Sequence, residues 1–175
     1  GKTYATGSET LPDSYISIQT EDGVREIGFE EYVMGITAKQ ISATANEQAR
    51  RAQMVLARTN LRTQLEKEAK ELPSASYRTQ SEMKREGILE IFEEDSRATA
   101  GQVLKVNGEL TYLPYHRVSA GKTRVGKEAL PGMGYDWLTS KDCQSDQESS
   151  DYLGIFIFTQ EEFERKLNEA WPEAL

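Results

Sequence analysis

The sequence predicts an α+β fold, a single domain in which antiparallel hairpins pack around a long, alanine-rich helix. Two observations predict this class. Segments that alternate apolar and polar residues meet at Gly-containing turns, both before and after segments with helical spacing. Residues 45–72 combine many small side chains with a stop at Pro73, which is typical of one long helix packed closely against other backbone. A chain of 175 residues has the size of one domain.

The first elements are predicted to be a hairpin and a short helix. The polar residues 1–14 are expected to form a flexible edge, and the domain is assigned to 15–175. Residues 15–27 alternate around a Glu-Asp-Gly turn, which indicates a hairpin. Residues 29–38 have apolar side chains at helical spacing, so a helix is predicted to close near Gln40.

The long helix is predicted at residues 45–72. Ser42 and Thr44 are candidate caps, and Glu47 would complete a capping box with Thr44. The predicted apolar stripe comprises Ala49, Ala52, Leu56, Leu61, Leu65, Ala69 and Leu72.

The remaining elements follow from turn and cap signals. Residues 74–85 are polar and are predicted to form a loop, and residues 88–98 are predicted to form a helix. Asn107-Gly108 separates two apolar runs, 101–106 and 109–116, and therefore predicts a second hairpin. A late strand is predicted at Leu153–Phe158, followed by a helix capped by Thr159 and Glu162.

Composition excludes several classes of function. The net charge of −8 argues against nucleic-acid binding, which needs clustered Lys and Arg. No segment approaches the roughly 20 apolar residues of a membrane-spanning helix. The acidic residues at 90–95 and 142–151 are interpreted as solvated faces. The single Cys143 excludes an internal disulfide and is compatible with an exported or a cytosolic protein.

Three ordered segments resemble one known family. Residues 29–59, FEEYVMGITAKQISATANEQARRAQMVLART, resemble the pattern L-E-E-Y-V-x-G-V-V-A-x-E-M-P-A followed by E-A-L-K-A-Q-A-V-A-A-R-T-Y of the stage II sporulation protein D (SpoIID)/LytB family. Residues 99–123, TAGQVLKVNGELTYLPYHRVSAGKT, resemble its T-x-G-x-V-L-x-Y-x-G pattern and the Y-H-S-x-S-G-G-x-T that follows. A third segment, MGYDWLTS, resembles the P-Y-L-x-S-V region, and the resemblance covers about residues 15–167.

The resemblance implies a lytic transglycosylase-like domain that cleaves or binds peptidoglycan glycan strands, notably strands without stem peptides. It also implies an extracytoplasmic location, with a membrane anchor in the full-length protein. In this chemistry a carboxylic acid protonates the glycosidic oxygen and then assists attack by a sugar hydroxyl, which gives an anhydro product. Gln40 stands at the position of the catalytic glutamate. An amide cannot release this proton but can hydrogen-bond a sugar, so recognition with impaired catalysis is expected.

Two alternatives remain open at this point. The domain could be an active lytic transglycosylase with another acid, for which Glu30, Glu31 and Glu47 are candidates. It could instead be a protein-interaction module or an amidase enhancer that assists other cell-wall hydrolases. Ile41 and Ser42 also depart from the family's Met-Pro, which favours natural divergence at Gln40.

The resemblance also implies ligand-binding residues. Arg51 and Arg58 lie seven residues apart, on one side of a helix; Arg58 is expected to hold backbone and carboxylates, and Arg51 to contact ligand. His116 aligns with the family's Tyr-His position. A loop with hydroxyl and backbone donors is expected to line the cleft through Ser119, Gly121, Lys122 and Thr123. No cofactor is expected, and no metal, because only His116 and Cys143 could serve a zinc ion that prefers three or four ligands.

Overall fold

The computed structural model describes residues 4–8, 14–67, 72–149, 152, 154 and 157–171. It confirms the predicted α+β class, with six α-helices and two small antiparallel sheets among the described residues. The chain divides into two compact units, Gly1–Arg117 and Val118–Leu175, a division that the sequence did not predict.

A three-stranded sheet of the first unit contains strands β1 (Tyr4–Ser8), β4 (Gln102–Val106) and β5 (Glu109–Leu110) in that order. The pairing is antiparallel on both sides of β4. Part of the N-terminal segment expected to be a flexible edge therefore forms a strand. The second arm of the predicted hairpin is shorter than expected, because strand pairing ends at Leu110 rather than near His116.

The turn between β4 and β5 explains why these strands form a hairpin. Asn107 and Gly108 both adopt positive φ, 55° and 85°. A two-residue turn with positive φ at both positions matches the right-handed twist of the strands that it joins, and Asn-Gly adopts it at little cost.

The other sheet is the predicted N-terminal hairpin. Strands β2 (Tyr15–Thr20) and β3 (Gly23–Gly28) pair antiparallel, with Ile16 opposite Ile27. Ile18 and Ile27 are buried and join the core.

The two helices that follow form the centre of the first unit. Helix α1 (Phe29–Gln40) buries eight residues and ends at Gln40, as predicted. Helix α2 (Glu47–Lys67) packs against α1 and β4. Asn46 caps α2, since its Oδ1 accepts from the Gln48 N–H at 2.9 Å. The capping box predicted for Thr44 and Glu47 is therefore wrong.

The buried face of α2 differs from the predicted stripe at both ends. Ala49 and Ala52 are exposed, whereas Leu61 is buried as predicted. Leu72 is 40% exposed and lies past Lys67, the last residue of α2, and Ala69 lies outside the described residues. The buried set on this helix is Met54, Val55, Ala57, Arg58, Thr59, Leu61 and Thr63. Three of these are polar or charged, which a purely apolar pattern cannot identify.

Two shorter helices complete the core of the first unit. Helix α3 (Gln80–Arg85) lies where a loop was predicted, and helix α4 (Leu89–Ala98) agrees with its prediction. A capping box between Thr79 and Glu82 marks the start of α3, and this pattern is visible in the sequence. Met83 and Phe92 are fully buried in the core.

Gly35 on α1 allows the backbone before α3 to approach closely. The Arg78 N–H donates to the Gly35 carbonyl at 3.0 Å, and a Cβ at Gly35 would collide with the Arg78 carbonyl oxygen. Glycine is therefore required at position 35 because a side chain would collide with this backbone, and not because the position has a positive φ.

The second unit contains short elements. Helix α5 (Gly126–Ala129), a 3₁₀ helix (Gln144–Glu148) and helix α6 (Gln160–Ala170) occur along it. The predicted capping box of Thr159 and Glu162 is confirmed at α6. Half of the predicted strand Leu153–Phe158 lies outside the described residues, and the described positions 154, 157 and 158 are not in a strand. No described helix has the length and apolarity needed to span a bilayer.

Candidate functional site

An open cavity of about 210 Å³ surrounds the end of α1, and we call it the Gln40 pocket. It lies at the junction of α1 with the α1–α2 connection, residues 41–46, and beside α2. Its lining residues are Gln40, Ile41, Ser42, Gln53, Tyr115, His116 and Arg117. Gln40 and His116, two of the residues predicted from the sequence, are therefore brought together in one place.

Two side-chain amides face each other in the Gln40 pocket. Gln53 on α2 donates its Nε2–H to Oε1 of Gln40 at 2.6 Å. Both side chains are half-buried. This bond fixes the Gln40 carbonyl as an acceptor for Gln53 and directs the Gln40 NH₂ group, a donor, toward other partners. The arrangement can hydrogen-bond a neutral polar ligand without transferring a proton.

The α1–α2 connection is held by polar contacts from its own residues and from α2. Ser42 Oγ accepts from the Thr44 N–H at 3.2 Å and bonds the Thr44 hydroxyl at 2.9 Å. Arg50 Nη1 donates to the carbonyls of Ala43 and Ala45 at 3.2 and 2.6 Å. These bonds shape the segment that contributes Ile41 and Ser42 to the Gln40 pocket.

Asn60 on α2 positions the segment that ends in Tyr115, His116 and Arg117. Its Nδ2 donates to the Leu113 carbonyl at 2.8 Å, and its Oδ1 accepts from the Leu113 N–H at 2.7 Å. The Asn60 amide thus bonds both the N–H and the carbonyl of Leu113. It takes the place of a neighbouring strand, because strand pairing ends at Leu110. The segment can therefore leave the sheet without unpaired backbone at Leu113.

Arg58 is fully buried within the first unit. Its Nε and Nη2 each donate to a carboxylate oxygen of Glu30 at 2.8 Å, and Nη1 donates to the Gln102 carbonyl at 3.2 Å. This paired geometry is the strong form of an arginine–carboxylate contact. The structure therefore places Arg58 in the predicted holding role and gives it no exposed surface for a ligand.

Arg51 lies in a different groove from Gln40. That groove is lined by Gln48, Arg51, Ala52, Val55, Ala98, Thr99 and Gln102. Arg51 contacts three carboxylates, at 2.6 Å for Glu47, 3.1 Å for Asp95 and 3.7 Å for Glu94. Arg51 is therefore engaged by carboxylates of the protein itself, and its contact with a ligand stays a prediction.

The candidate replacement acids do not lie in the Gln40 pocket. Glu30 is paired with Arg58 and also accepts from the Ser96 hydroxyl at 3.3 Å. Glu47 is paired with Arg51. Neither these two nor Glu31 lines the pocket, and in the part of the chain that the structure describes, none of the seven lining residues is an Asp or a Glu.

The predicted loop of small residues belongs to the second unit. Ser119 donates its N–H and its hydroxyl to Oδ2 of Asp146, both at 2.7 Å. Thr123 exchanges hydrogen bonds with the Lys141 backbone at 2.8 Å. Gly121, with φ at 85°, accepts from the Cys143 N–H at 2.9 Å, and Lys122 lies 3.9 Å from Asp142.

These bonds engage both loop hydroxyls that were expected to face a cleft. A ligand-binding role for the loop stays a prediction, as does the expected lack of a metal.

Three residues of this region were not predicted from the sequence. Gln53 could have been predicted as a site residue, since the quoted family pattern has a glutamine at its position. Asn60 had no local signal. Asp95 was assigned to a solvated acidic face, whereas it is 1% exposed and pairs with Arg50 at 2.7 Å.

Two comparisons with known proteins agree. The SpoIID family profile, described as Stage II sporulation protein, matches residues 17–105. The chain is 29% identical over 187 residues to Stage II sporulation protein D of Bacillus subtilis (strain 168), an alignment that covers 95% of this chain. The alignment covers 54% of that relative, so the chain spans about half of the relative's length. The profile match includes Gln40 and Gln53 and ends before His116.

Proposed function

Because this chain belongs to the stage II sporulation protein (SpoIID) family, we propose that its Gln40 pocket recognises peptidoglycan glycan strands with little or no cleavage. Membership of the family points to a sporulation-related function at the cell wall. The proposed ligand is a strand without stem peptides. The protein is proposed to act outside the cytoplasm. Other cell-wall hydrolases are the proposed protein partners.

The observation that supports recognition without cleavage is the chemistry of the pocket lining. Two amides, two hydroxyls, one imidazole and one guanidinium surround the cavity, and no carboxyl group lines it among the described residues. Hydroxyl-rich ligands are bound by such mixtures of donors and acceptors. Cleavage by the family chemistry needs a carboxylic acid at the position of Gln40.

The position of the other carboxylates argues against a relocated acid. A general acid must come within hydrogen-bond distance of the oxygen that it protonates. Glu30 and Glu47 are each committed to an arginine at 2.8 Å or less. Both carboxylates are therefore held outside the Gln40 pocket, beyond hydrogen-bond distance of a glycosidic oxygen bound there.

Binding is the first property to test. Peptide-free glycan strands are titrated into the wild-type domain and into Gln40→Ala and Gln53→Ala, with affinity followed by isothermal calorimetry. Each change removes one member of the amide pair, and we expect about 5- to 20-fold weaker binding for the loss of one or two hydrogen bonds. Gln48→Ala is the matched control, since Gln48 is an exposed glutamine of the same helix outside the pocket.

The results separate the proposed function from its alternatives. Equal binding by wild type and all three variants would show that the Gln40 pocket is not the glycan site. No binding by any protein, together with capture of a purified cell-wall hydrolase, would favour an interaction module. Selective loss in Gln40→Ala and Gln53→Ala is the result that the proposal requires.

A further inference from the structure

Asp95 on α4 is buried without being part of the Gln40 pocket. Its side chain is 1% exposed, and its two oxygens accept from different arginines. Arg50 Nε donates to Oδ2 at 2.7 Å, and Arg51 Nε donates to Oδ1 at 3.1 Å. A carboxylate can be buried at such a site only when cations compensate its charge.

Arg50 connects this carboxylate to the α1–α2 connection. While Nε faces Asp95, Nη1 donates to the carbonyl oxygens of Ala45 at 2.6 Å and Ala43 at 3.2 Å. The guanidinium is planar, so the bond to Asp95 fixes the plane and aims Nη1 at these carbonyls. The same connection contributes Ile41 and Ser42 to the Gln40 pocket.

We propose that Asp95 is a positioning residue for the Gln40 pocket and that it acts through Arg50. When Arg50 is not oriented, the carbonyls of Ala43 and Ala45 lose their side-chain donor. The connection then samples other conformations, which displaces Ile41 and Ser42 from their places beside Gln40. The consequence for glycan binding rests on the proposed function, whereas the structural consequence does not.

The test compares Arg50→Lys with Arg51→Lys. Lysine keeps a positive charge beside Asp95 but lacks the planar group that reaches a carboxylate and two carbonyls at once. Arg51 is a matched control because it bonds the same carboxylate and, in the described part of the chain, makes no hydrogen bond to the α1–α2 connection.

Two measurements report on positioning without any ligand. The first is amide hydrogen exchange of residues 41–46, and the second is the NMR resonance of the Gln40 side-chain NH₂ group. Arg50→Lys should speed exchange about tenfold, the effect of losing hydrogen bonds to a charged donor, and should shift the Gln40 resonance. Arg51→Lys should change exchange by less than about twofold and leave that resonance in place. Equal effects of the two variants, or none from Arg50→Lys, would overturn the proposal.

Asp95→Asn supplies a second test that keeps the side-chain shape. It should reproduce the faster exchange at residues 41–46, and the double variant with Arg50→Lys should add little, since both changes break one chain of contacts. Unchanged exchange in Asp95→Asn, or full additivity, would contradict action through Arg50. Failure of the wild-type domain to bind glycan would defeat the proposed function alone, because the exchange results decide the positioning role.

Discussion

The polar side chains on two sides of helix α2 differ in burial and in charge. On one side Arg58 is fully buried, and its Nε and Nη2 each donate to Glu30 at 2.8 Å. On the other side Gln53 is half-buried and meets Gln40 at the edge of an open cavity. The charged groups are satisfied inside the protein, whereas the groups that face the cavity from the helices are neutral amides.

This difference distinguishes the charged residues, which stabilise the fold, from the amides at the cavity, which we propose bind the ligand. Burying an arginine requires a carboxylate of good geometry, and that carboxylate then lies at the arginine rather than in the pocket. Glu30 is such a carboxylate, and Asp95 plays the same part for Arg50 and Arg51. Glu30 and Asp95 therefore hold the helices together. At the Gln40 position the pocket presents an amide, which can form hydrogen bonds but cannot donate a proton as an acid.

The largest effect is expected from Arg58→Ala. Truncating the buried member of an ion pair costs about 3–5 kcal/mol in the free energy of unfolding. The lower end applies here, because Glu30 is 35% exposed and can be partly rehydrated. Urea unfolding measures the loss, and Arg97→Ala is the control, since Arg97 is 72% exposed and should change stability by less than about 0.5 kcal/mol. Equal stability of both variants would mean that Arg58 does not support the fold.

A smaller effect is expected at Asn60, on the side of α2 that positions the pocket. Asn60→Ala leaves the N–H and carbonyl of Leu113 without partners, which should cost about 1–3 kcal/mol. Asn60→Asp keeps the acceptor for the Leu113 N–H but sets a second carboxylate oxygen against the Leu113 carbonyl, so it should recover little of that loss. Glycan affinity should fall in the same order, because the segment supplies Tyr115, His116 and Arg117 to the cavity. Stability loss with unchanged affinity would show that this segment does not contribute to binding.

The smallest effects are expected at the helix caps, Thr79 of α3 and Thr159 of α6, which are not part of α2. Thr79→Ala removes the capping box of α3 and should cost about 1 kcal/mol. Thr159→Ala removes the equivalent box of α6, a helix without buried residues, and should cost less. Thermal unfolding of the two variants gives the comparison, and a larger loss at Thr159 would contradict the importance assigned to the α3 packing.

The same capping box predicts a pH dependence. Hydrogen bonds from the Thr79 N–H and hydroxyl lower the pKa of the Glu82 carboxyl below its ordinary value. A lower pKa in the folded state means that this stabilisation is present above the unfolded pKa and is lost as pH falls through the folded one. Thr79→Ala removes the hydroxyl donor and keeps the N–H, the larger of the two causes, so the fall in stability on acidification should be only slightly shallower than in wild type. A steeper fall in Thr79→Ala would contradict this origin of the shift.

The sequence predicted elements that local signals define. The hairpin around Asn107-Gly108 and the capped helix after Thr159 follow from residues close together in the chain, and both are present. The capping signal at Thr79 was equally local and was overlooked. The resemblance placed Gln40 and His116 in one region, and the structure puts both in one pocket.

The sequence could not predict contacts that depend on tertiary structure. Asp95 bonds an arginine 45 residues away, and Asn60 bonds a backbone 53 residues away. No periodicity distinguishes such a buried carboxylate from its exposed neighbours on the same helix. Burial of Arg58 and Asp95 follows from charge pairing across elements, which only a three-dimensional arrangement can supply.

The most direct test of the central claim is the formation of anhydro-muramyl ends on peptide-free glycan strands, measured by mass spectrometry. The wild-type domain should release little or none, since general acid catalysis contributes about 10²–10⁴-fold in rate. Gln40→Glu should raise the yield, because the restored acid occupies the pocket beside Gln53. Appreciable product from the wild-type domain, formed equally well by Gln40→Ala, would contradict the claim and show that another group supplies the proton.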